Sequence, residues 1–180
     1  MKRIGFSVLV LAIVCSTVCL AAPLSLEYQI KAGFIYKFLL FAEWPEAASG
    51  APETTITIGI LGDDPFGNAF RPIEGQTVDG KTLAIKRFEK GTPCEMLRRC
   101  RLLFISPSLK DDIEEILASL KDHPVLTVSE VRLFVDSGGM INLTTKKDRV
   151  RFEINKAAAE HVGIKFRSRL LRVASRVVED

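Results

Sequence analysis

Apolar side chains recur every three or four residues along positions 26–43, and no proline interrupts the run. This spacing predicts a helix, because residues three or four apart lie on one face of an α-helix. The helix should end near Trp44, since a residue that precedes proline avoids the helical region. Apolar and aromatic residues also occupy most of the other positions. One sheet face cannot bury such a helix completely, so a second apolar surface is expected to cover the rest.

Short runs of β-branched and apolar residues follow, and helical patterns separate them. The runs predict strands at residues 54–62, 81–89, 101–106 and 125–129. Asp64 and Pro65 are typical of a helix cap and first helical turn. Ser108 can cap a second helix, whose apolar face carries Ile113, Ile116, Leu117 and Leu120. The alternation of strand and helix favours a sheet with parallel character and helices on its faces.

The pattern changes in the last third of the chain. Residues 140–145 and 149–155 predict a hairpin, after which Asn155 can cap a helix and Gly163 can end it. Residues 168–180 predict a final amphipathic helix whose polar side carries Arg169, Arg172 and Arg176. Together these elements predict a single three-layer α/β domain over residues 26–178, with a mixed, partly parallel sheet of about five or six strands flanked by helices.

The first 21 residues are typical of a secretory signal peptide, with Lys2 and Arg3 before an apolar run and small residues before a cut after Ala21. An uncleaved membrane anchor is an alternative, but such an anchor needs about 18 or more apolar residues, which this run barely approaches. Lipid anchoring is disfavoured as well, because valines precede Cys15 and Cys19 where lipoprotein processing needs a small residue. The sequence therefore predicts a periplasmic protein.

Cleavage of the signal peptide changes the net charge of the chain. It removes two of the 25 basic residues and none of the 22 acidic ones, so the net charge falls from +3 to about +1. No nucleic-acid partner is predicted on this balance. Because 47% of the residues are hydrophobic, intrinsic disorder is excluded and one core is expected.

Two cysteines, Cys94 and Cys100, remain in the mature chain. In an oxidising compartment they are predicted to form one disulfide, which would hold the loop that enters the next strand. Their spacing is not CxxC, so a catalytic redox pair is disfavoured. The alternative is a pair of buried free thiols.

No pattern in the sequence indicates catalysis. The two histidines, His123 and His161, have no companions at metal-ligand spacing, and GxSxG is absent. The stretch "GILGDDPFG" matches no phosphate-binding loop, and its two aspartates would repel phosphate. We therefore predict no enzyme activity, cofactor or metal. A small-molecule effector at the carboxyl ends of the strands stays open.

Several segments, in this order, resemble the YfiR family of periplasmic regulators: "YQIKAGFIYKFLLFAEWP", "ITIGILGDDPFG", "CRLLFIS", "VLTVSE", "GGMINLTTKKDRVRFEINKAAAE" and "SRLLRVA". The resemblance spans roughly residues 26 to 175. It implies an α/β fold without enzymatic activity. It also implies a protein that binds the periplasmic part of an inner-membrane diguanylate cyclase and holds it inactive, thereby controlling cyclic di-GMP and biofilm formation.

The resemblance implies further partners. In the best-known family arrangement, an OmpA-like outer-membrane lipoprotein sequesters the regulator and releases the cyclase. Related domains also occur fused to signalling kinases, so the alternative hypothesis is a small-ligand sensor that acts on another membrane receptor. The family often carries more than one disulfide, whereas this mature chain has only two cysteines.

Contact residues are predicted from this sequence rather than from the family. Phe34, Phe38 and Phe41 are assigned to the core. The candidate contacts with a partner or a second copy are Tyr36, Leu40, Trp44, Arg169, Arg172 and Arg176. For the arginines, a solvated helix face is the competing interpretation.

Overall fold

The computed structural model describes residues 25–45 and 54–179. The predicted signal peptide, with its cleavage site after Ala21, lies outside these ranges. Within them, the helices are all too short or too polar to cross a bilayer.

Helices and strands alternate along the described chain. The α-helices are α1 (Leu26–Phe41), α2 (Cys94–Leu97), α3 (Ile113–Leu120), α4 (Lys156–His161) and α5 (Ser168–Val173). The first five strands are β1 (Ala42–Glu43), β2 (Thr55–Leu61), β3 (Thr77–Val78), β4 (Lys81–Phe88) and β5 (Leu102–Ile105). The others are β6 (Leu126–Ser129), β7 (Ile141–Lys146), β8 (Arg149–Asn155), β9 (Lys165–Phe166) and β10 (Arg176–Val178). A 3₁₀ helix, Pro107–Asp112, leads into α3.

The main sheet has eight strands in the order β10-β8-β7-β6-β5-β2-β4-β3. Neighbours are parallel from β7 through β6, β5 and β2 to β4, and again where β10 meets β8. The β7–β8 and β3–β4 pairs are antiparallel. The predicted mixed α/β sheet is confirmed. It has more strands than expected because β3 and β10 are too short to show an alternating pattern.

The central strand β5 separates two apolar cores. Leu102 and Phe104 belong to the core under α1, whereas Leu103 and Ile105 belong to the core under α3. All four are buried, as expected for a parallel strand covered by helices on both faces. The layers are therefore helix, sheet and helix.

A buried lysine ties α1 to the sheet. The Lys31 side chain is 4% exposed, contacts the carboxylate of Glu130 and lies 2.6 Å from that of Glu27. The Tyr28 hydroxyl donates to Glu130 at 2.9 Å, and the Lys31 ammonium lies 4.6 Å from the centre of the Tyr28 ring. Because Glu130 directly follows β6, this ion cluster fixes α1 against the end of a central strand. A buried charge is tolerable only with such partners.

The first helix ends two residues before its predicted end at position 43. Ala42 adopts extended backbone, with φ −96° and ψ 149°, and begins β1. Strand β1 pairs with β9 in a separate two-stranded antiparallel sheet, with Ala42 opposite Phe166. The amide of Arg167 donates to the carbonyl of Phe41 at 3.0 Å. These bonds bring the end of α1 next to the start of α5.

The prediction of one helix over residues 168–180 is wrong. Helix α5 ends at Val173, because Ala174 is extended with φ −64° and ψ 142°. Strand β10 then pairs in parallel with β8. The two β-branched valines of β10 favour the open sheet edge over a further helical turn. Arg176 therefore does not share a helix face with Arg169 and Arg172.

The expected helical turn at Asp64 and Pro65 is wrong as well. The Asp64 carboxylate accepts the amide of Phe66 at 2.7 Å, but the chain from there to β3 forms turns. Gly67 has φ +52°, a left-handed conformation through which an α-helix cannot continue. Ser106, rather than Ser108, provides the cap of the 3₁₀ helix by accepting the Ser108 amide.

The predictions for the chain between β7 and α4 are confirmed. Strands β7 and β8 form the hairpin, with Lys147 and Asp148 at positive φ in its turn. The Asn155 side chain accepts the amide of Ala158 at 2.9 Å and so caps α4. Gly163 has φ +79° just after the helix, as a helix-ending glycine requires.

Candidate functional site

Helix α5 lies beside the C-terminal half of α1 and leaves an open groove of about 300 Å³. We call it the α1–α5 groove, and it is lined by Phe34, Lys37, Phe41, Phe152, Arg169, Leu170 and Val173. Most of these residues are apolar. The groove is therefore a candidate site for contact with another molecule.

The α1 wall of this groove follows from helical spacing. Phe34, Lys37 and Phe41 are three and four residues apart, so they line one face of the helix. Phe38 lies beneath them and is fully buried, with its ring centre 4.9 Å from that of Phe152. The Phe34 ring lies 5.6 Å from the same ring. An aromatic cluster thus forms a firm floor, while Phe34 and Phe41 stay only partly buried.

The charged side chains that line the α1–α5 groove are both basic. They are Lys37 on α1 and Arg169 on α5. Both are exposed, and neither forms an ion pair with another described residue. Arg172, one helical turn beyond Arg169, is exposed too. An apolar floor with a basic rim that no described acidic residue neutralises favours an occupant that carries negative charge.

A second, wider groove of about 810 Å³ lies on the other side of the α1 end. It shares Lys37 and Phe41 with the first, and we call it the Trp44 groove. The Trp44 indole N–H donates to the carbonyl of Pro124 at 3.1 Å, and the Arg101 guanidinium lies 5.1 Å from the centre of the indole ring. These contacts fix the ring. At the rim, Arg167 is paired with Glu43 at 3.0 Å.

The six predicted contact residues do not form one surface. Leu40 and Trp44 line the Trp44 groove, and Arg169 lines the α1–α5 groove. The Tyr36 hydroxyl donates to Gln76 at 3.2 Å, outside both grooves. Arg172 is exposed on α5.

Arg176, the sixth, is on β10, where it is paired with Asp136 and lies 3.7 Å from Glu153. Its charge is therefore already compensated within the described chain. Whether any of the six touches a partner stays a prediction.

Sequence reasoning missed two residues that shape the α1–α5 groove. Lys37 is the single basic residue in the aromatic run from Gly33 to Glu46. A lone cation among apolar residues is the sequence signal that could have marked it as a groove residue. Val173, with 65% of its surface exposed, could not be found because residues 168–180 were expected to continue as one helix. A helix that stops at Val173 leaves this side chain at the groove mouth.

Cys94 and Cys100 are both free thiols in the structure, so the predicted disulfide is not confirmed and stays a prediction. Cys100 is buried against the sheet, where a Cβ on Gly59 would lie 2.8 Å from its sulfur. This burial raises the pKa of the Cys100 thiol to about 12. Cys94 begins α2 and is only partly buried.

The carboxyl ends of the parallel strands hold charged side chains that are paired with one another. Asp64 accepts from Arg87 at 2.7 Å, and Lys90 lies 2.7 Å from Asp112. The cleft beside Lys90 measures only about 200 Å³. Across residues 25–45 and 54–179, no three His, Cys, Asp or Glu side chains are grouped so that they could hold a metal ion.

The comparisons with known proteins agree with this fold. The model of a family described as YfiR/HmsC-like (DUF4154) matches residues 28–175. A crystal structure of a conserved domain protein from Vibrio cholerae O1 biovar El Tor is similar, with a TM-score of 0.54 and 12% sequence identity. The match covers 83% of this chain and 60% of that one, and at this identity it shows the fold alone. No curated protein matches the sequence.

Proposed function

This chain belongs to the YfiR/HmsC-like family, and from that premise we propose that it binds and represses the periplasmic sensor part of an inner-membrane diguanylate cyclase. The family is one of periplasmic regulators rather than catalysts. On this proposal the mature chain begins after Ala21, acts in the periplasm and controls cyclic di-GMP and, through it, biofilm formation.

The observation that carries the proposal is the apolar surface around the end of α1. Phe34, Phe41 and Trp44 remain only partly buried after the domain has folded. Two grooves meet at Lys37 and Phe41. Contiguous apolar surface with a polar rim is typical of a protein-binding site.

The paired charges elsewhere support binding rather than catalysis. Asp64, Asp112 and Glu130 lie near the carboxyl ends of the strands, where α/β proteins usually place reactive groups, and each is in an ion pair. Each of these carboxylates is therefore already engaged by a cation of the same chain.

Repression by such a protein needs differential binding. The regulator must bind the inactive state of the sensor domain more tightly than the active state. Moving a two-state receptor from nearly all active to nearly all inactive requires a preference of about 5.5 kcal/mol. An interface of ordinary size with a few well-packed apolar anchors can supply this preference.

Deletion of the gene tests the proposal. We expect cyclic di-GMP and matrix to rise and motility to fall, with reversal when the full-length chain is supplied. The tagged mature protein should recover a membrane diguanylate cyclase from solubilised membranes. Unchanged cyclic di-GMP in the deletion strain would refute the proposal.

Two further partners belong to the proposal. An OmpA-like outer-membrane lipoprotein would compete for the regulator and thereby release the cyclase. A homodimer would use the apolar surface around α1 on the side of the Trp44 groove. Sedimentation of the mature protein, alone and with each partner, distinguishes these assemblies.

A second candidate function is a small-ligand sensor that acts on another membrane receptor such as a kinase. It is favoured by a cavity of about 360 Å³ between α3 and α4, lined in part by Leu117, Met140, Lys121 and His161. This volume falls within the usual range for small-molecule sites, about 300–1,000 Å³. A thermal shift of the dialysed protein with one metabolite from a broad panel would support this function, and no shift with any would count against it.

A further inference from the structure

We propose that the α1–α5 groove is the docking site for a short segment of a partner protein, whose apolar side chains enter the groove and whose flanking residues are acidic. The inference deepens the proposed function. It rests on that function only for the existence of a protein partner, not for the partner being a cyclase.

The shape of the groove sets the first requirement on its occupant. Phe152 lines the floor and packs on the fully buried Phe38, and Phe34 and Phe41 form a partly buried wall. Val173 stands at the mouth with 65% of its surface exposed. A volume of about 300 Å³ holds a few side chains rather than a whole domain. An apolar anchor that enters it would be removed from water, as hot-spot residues are at interfaces.

The charge of the groove sets the second requirement. Lys37 and Arg169 line it without any acidic neighbour in the lining. In the Trp44 groove, by contrast, Arg167 is already paired with Glu43 at 3.0 Å. Carboxylates beside the apolar anchor would form charge-assisted hydrogen bonds with Lys37 and Arg169, which have no acidic partner among residues 25–45 and 54–179. A neutral or basic segment would leave these cations without partners.

A second copy of this chain fits the groove poorly. A twofold dimer brings the same patch of both copies together, so Lys37 and Arg169 of each would face like charges. The described chain does carry an acidic patch at the start of α3, with Asp111, Glu114 and Glu115 exposed. Because α1 and α3 cover opposite faces of the sheet, docking that patch into the groove would be a head-to-tail contact, which does not close into a twofold dimer.

A lipid surface fits poorly as well. A bilayer presents a broad flat face, which favours an amphipathic helix with protruding apolar residues. Here α5 has only six residues, and the aromatic side chains line a concave site. The concave shape favours a protruding protein segment.

Photo-crosslinking from position 173 tests the inference. The full chain with Val173 replaced by p-benzoylphenylalanine is expressed in its own host, and intact cells are irradiated. We expect the crosslinked peptide to come from another protein and to carry apolar residues next to Asp or Glu. A crosslink to lipid, to a second copy, or to a segment without acidic residues would overturn the inference.

Matched charge reversals test the basic rim. The Lys37→Glu/Arg169→Glu variant should bind the crosslinked partner about tenfold more weakly or worse. Lys110→Glu/Arg132→Glu changes the net charge equally at exposed positions away from the groove. This control should bind as the wild type does, and both variants should keep the wild-type circular dichroism spectrum. Equal affinities for the two variants would contradict the assignment of the acidic flank.

The surface substitution Val173→Asp separates this inference from the proposed function. We expect it to lose partner binding and repression while it keeps its melting temperature, because Val173 is largely exposed. If gene deletion raises cyclic di-GMP but Val173→Asp represses normally, the groove is not the site, although the function stands. If an acidic segment of a protein other than a cyclase is crosslinked, and the Val173→Asp variant no longer binds that protein, the groove inference is supported and the proposed cyclase partner is refuted.

Discussion

Helices α1 and α3 cover opposite faces of the same sheet but distribute their apolar residues differently. In α3, Ile113 and Leu120 are buried, while Glu114 and Glu115 are exposed in its first turn. In α1, apolar residues lie on all sides of the helix, and those buried in the core include Ile35, Phe38 and Leu39. Helix α3 therefore has one interface, whereas α1 has a buried face and a partly covered apolar one. The second face is where we place the partner.

The two helices also differ in their charged contacts. Lys31 of α1 is buried and meets the largely buried Glu130. On the α3 side, Lys90 reaches Asp112 with 69% of its side chain exposed. Both lysines contact a carboxylate, but Lys31 is buried and also contacts Glu27 and the Tyr28 ring, whereas Lys90 is exposed. Buried pairs are costly to break, whereas exposed pairs contribute little.

The largest effect is expected at Phe38. Phe38→Ala should lower the free energy of unfolding by about 3–5 kcal/mol, because it removes a fully buried ring and leaves a cavity against Phe152. Phe41→Ala, which truncates a partly buried ring, should cost clearly less. Urea unfolding measures both. Equal losses would mean that α1 has one continuous buried surface, and the contrast with α3 would disappear.

The next largest effect is expected at the buried ion pair. Lys31→Met should lower the free energy of unfolding by about 3 kcal/mol, because the Glu130 carboxylate stays largely buried without its cation. The double variant Lys31→Met/Glu130→Gln removes the stranded charge and should recover part of that loss. Urea unfolding of the two variants gives the comparison, and no recovery in the double variant would contradict the mechanism.

A smaller effect is expected with pH. Hydrogen bonds from Lys31 and then Thr145 lower the pKa of Glu27 below its usual value of 4.5. A carboxylate whose pKa falls on folding stabilises the fold above the unfolded pKa, and that stability is lost as pH falls through the folded pKa. The wild type should therefore exceed Glu27→Gln in stability at pH 6, with the gap closing below about pH 4.5. Parallel stability curves for the two proteins across this range would contradict the assignment.

The smallest effect is expected at Lys90. Lys90→Met should leave the urea midpoint almost unchanged, because its partner Asp112 remains hydrated when the exposed pair is broken. It is the matched control for Lys31→Met, since both replace a paired lysine by the same residue. A loss as large as that at Lys31 would show that burial does not govern the difference between the two faces.

Sequence patterns predicted those parts of the fold that local rules determine. The apolar face of α3, the β7–β8 hairpin and the Asn155 cap all depend on residues a few positions apart. Strand β10 could not be predicted this way, because the open edge of β8 that pairs with Arg176 is distant in sequence. The candidate site was predicted in part. The aromatic run indicated α1, but only packing shows that Phe38 is buried beneath the groove and that Lys37 lies at the rim of the groove.

The short β1–β9 sheet has a consequence for how the α1–α5 groove would take a ligand. The carbonyl of Phe41 and the amide of Arg167 join the end of α1 to the chain entering α5. These bonds therefore hold the α1 and α5 walls of the groove together at one end in the unbound protein. A preorganised site loses little conformational entropy on binding. Complex formation can then be fast, and the lifetime of the complex would depend on how well the incoming side chains fit the aromatic floor.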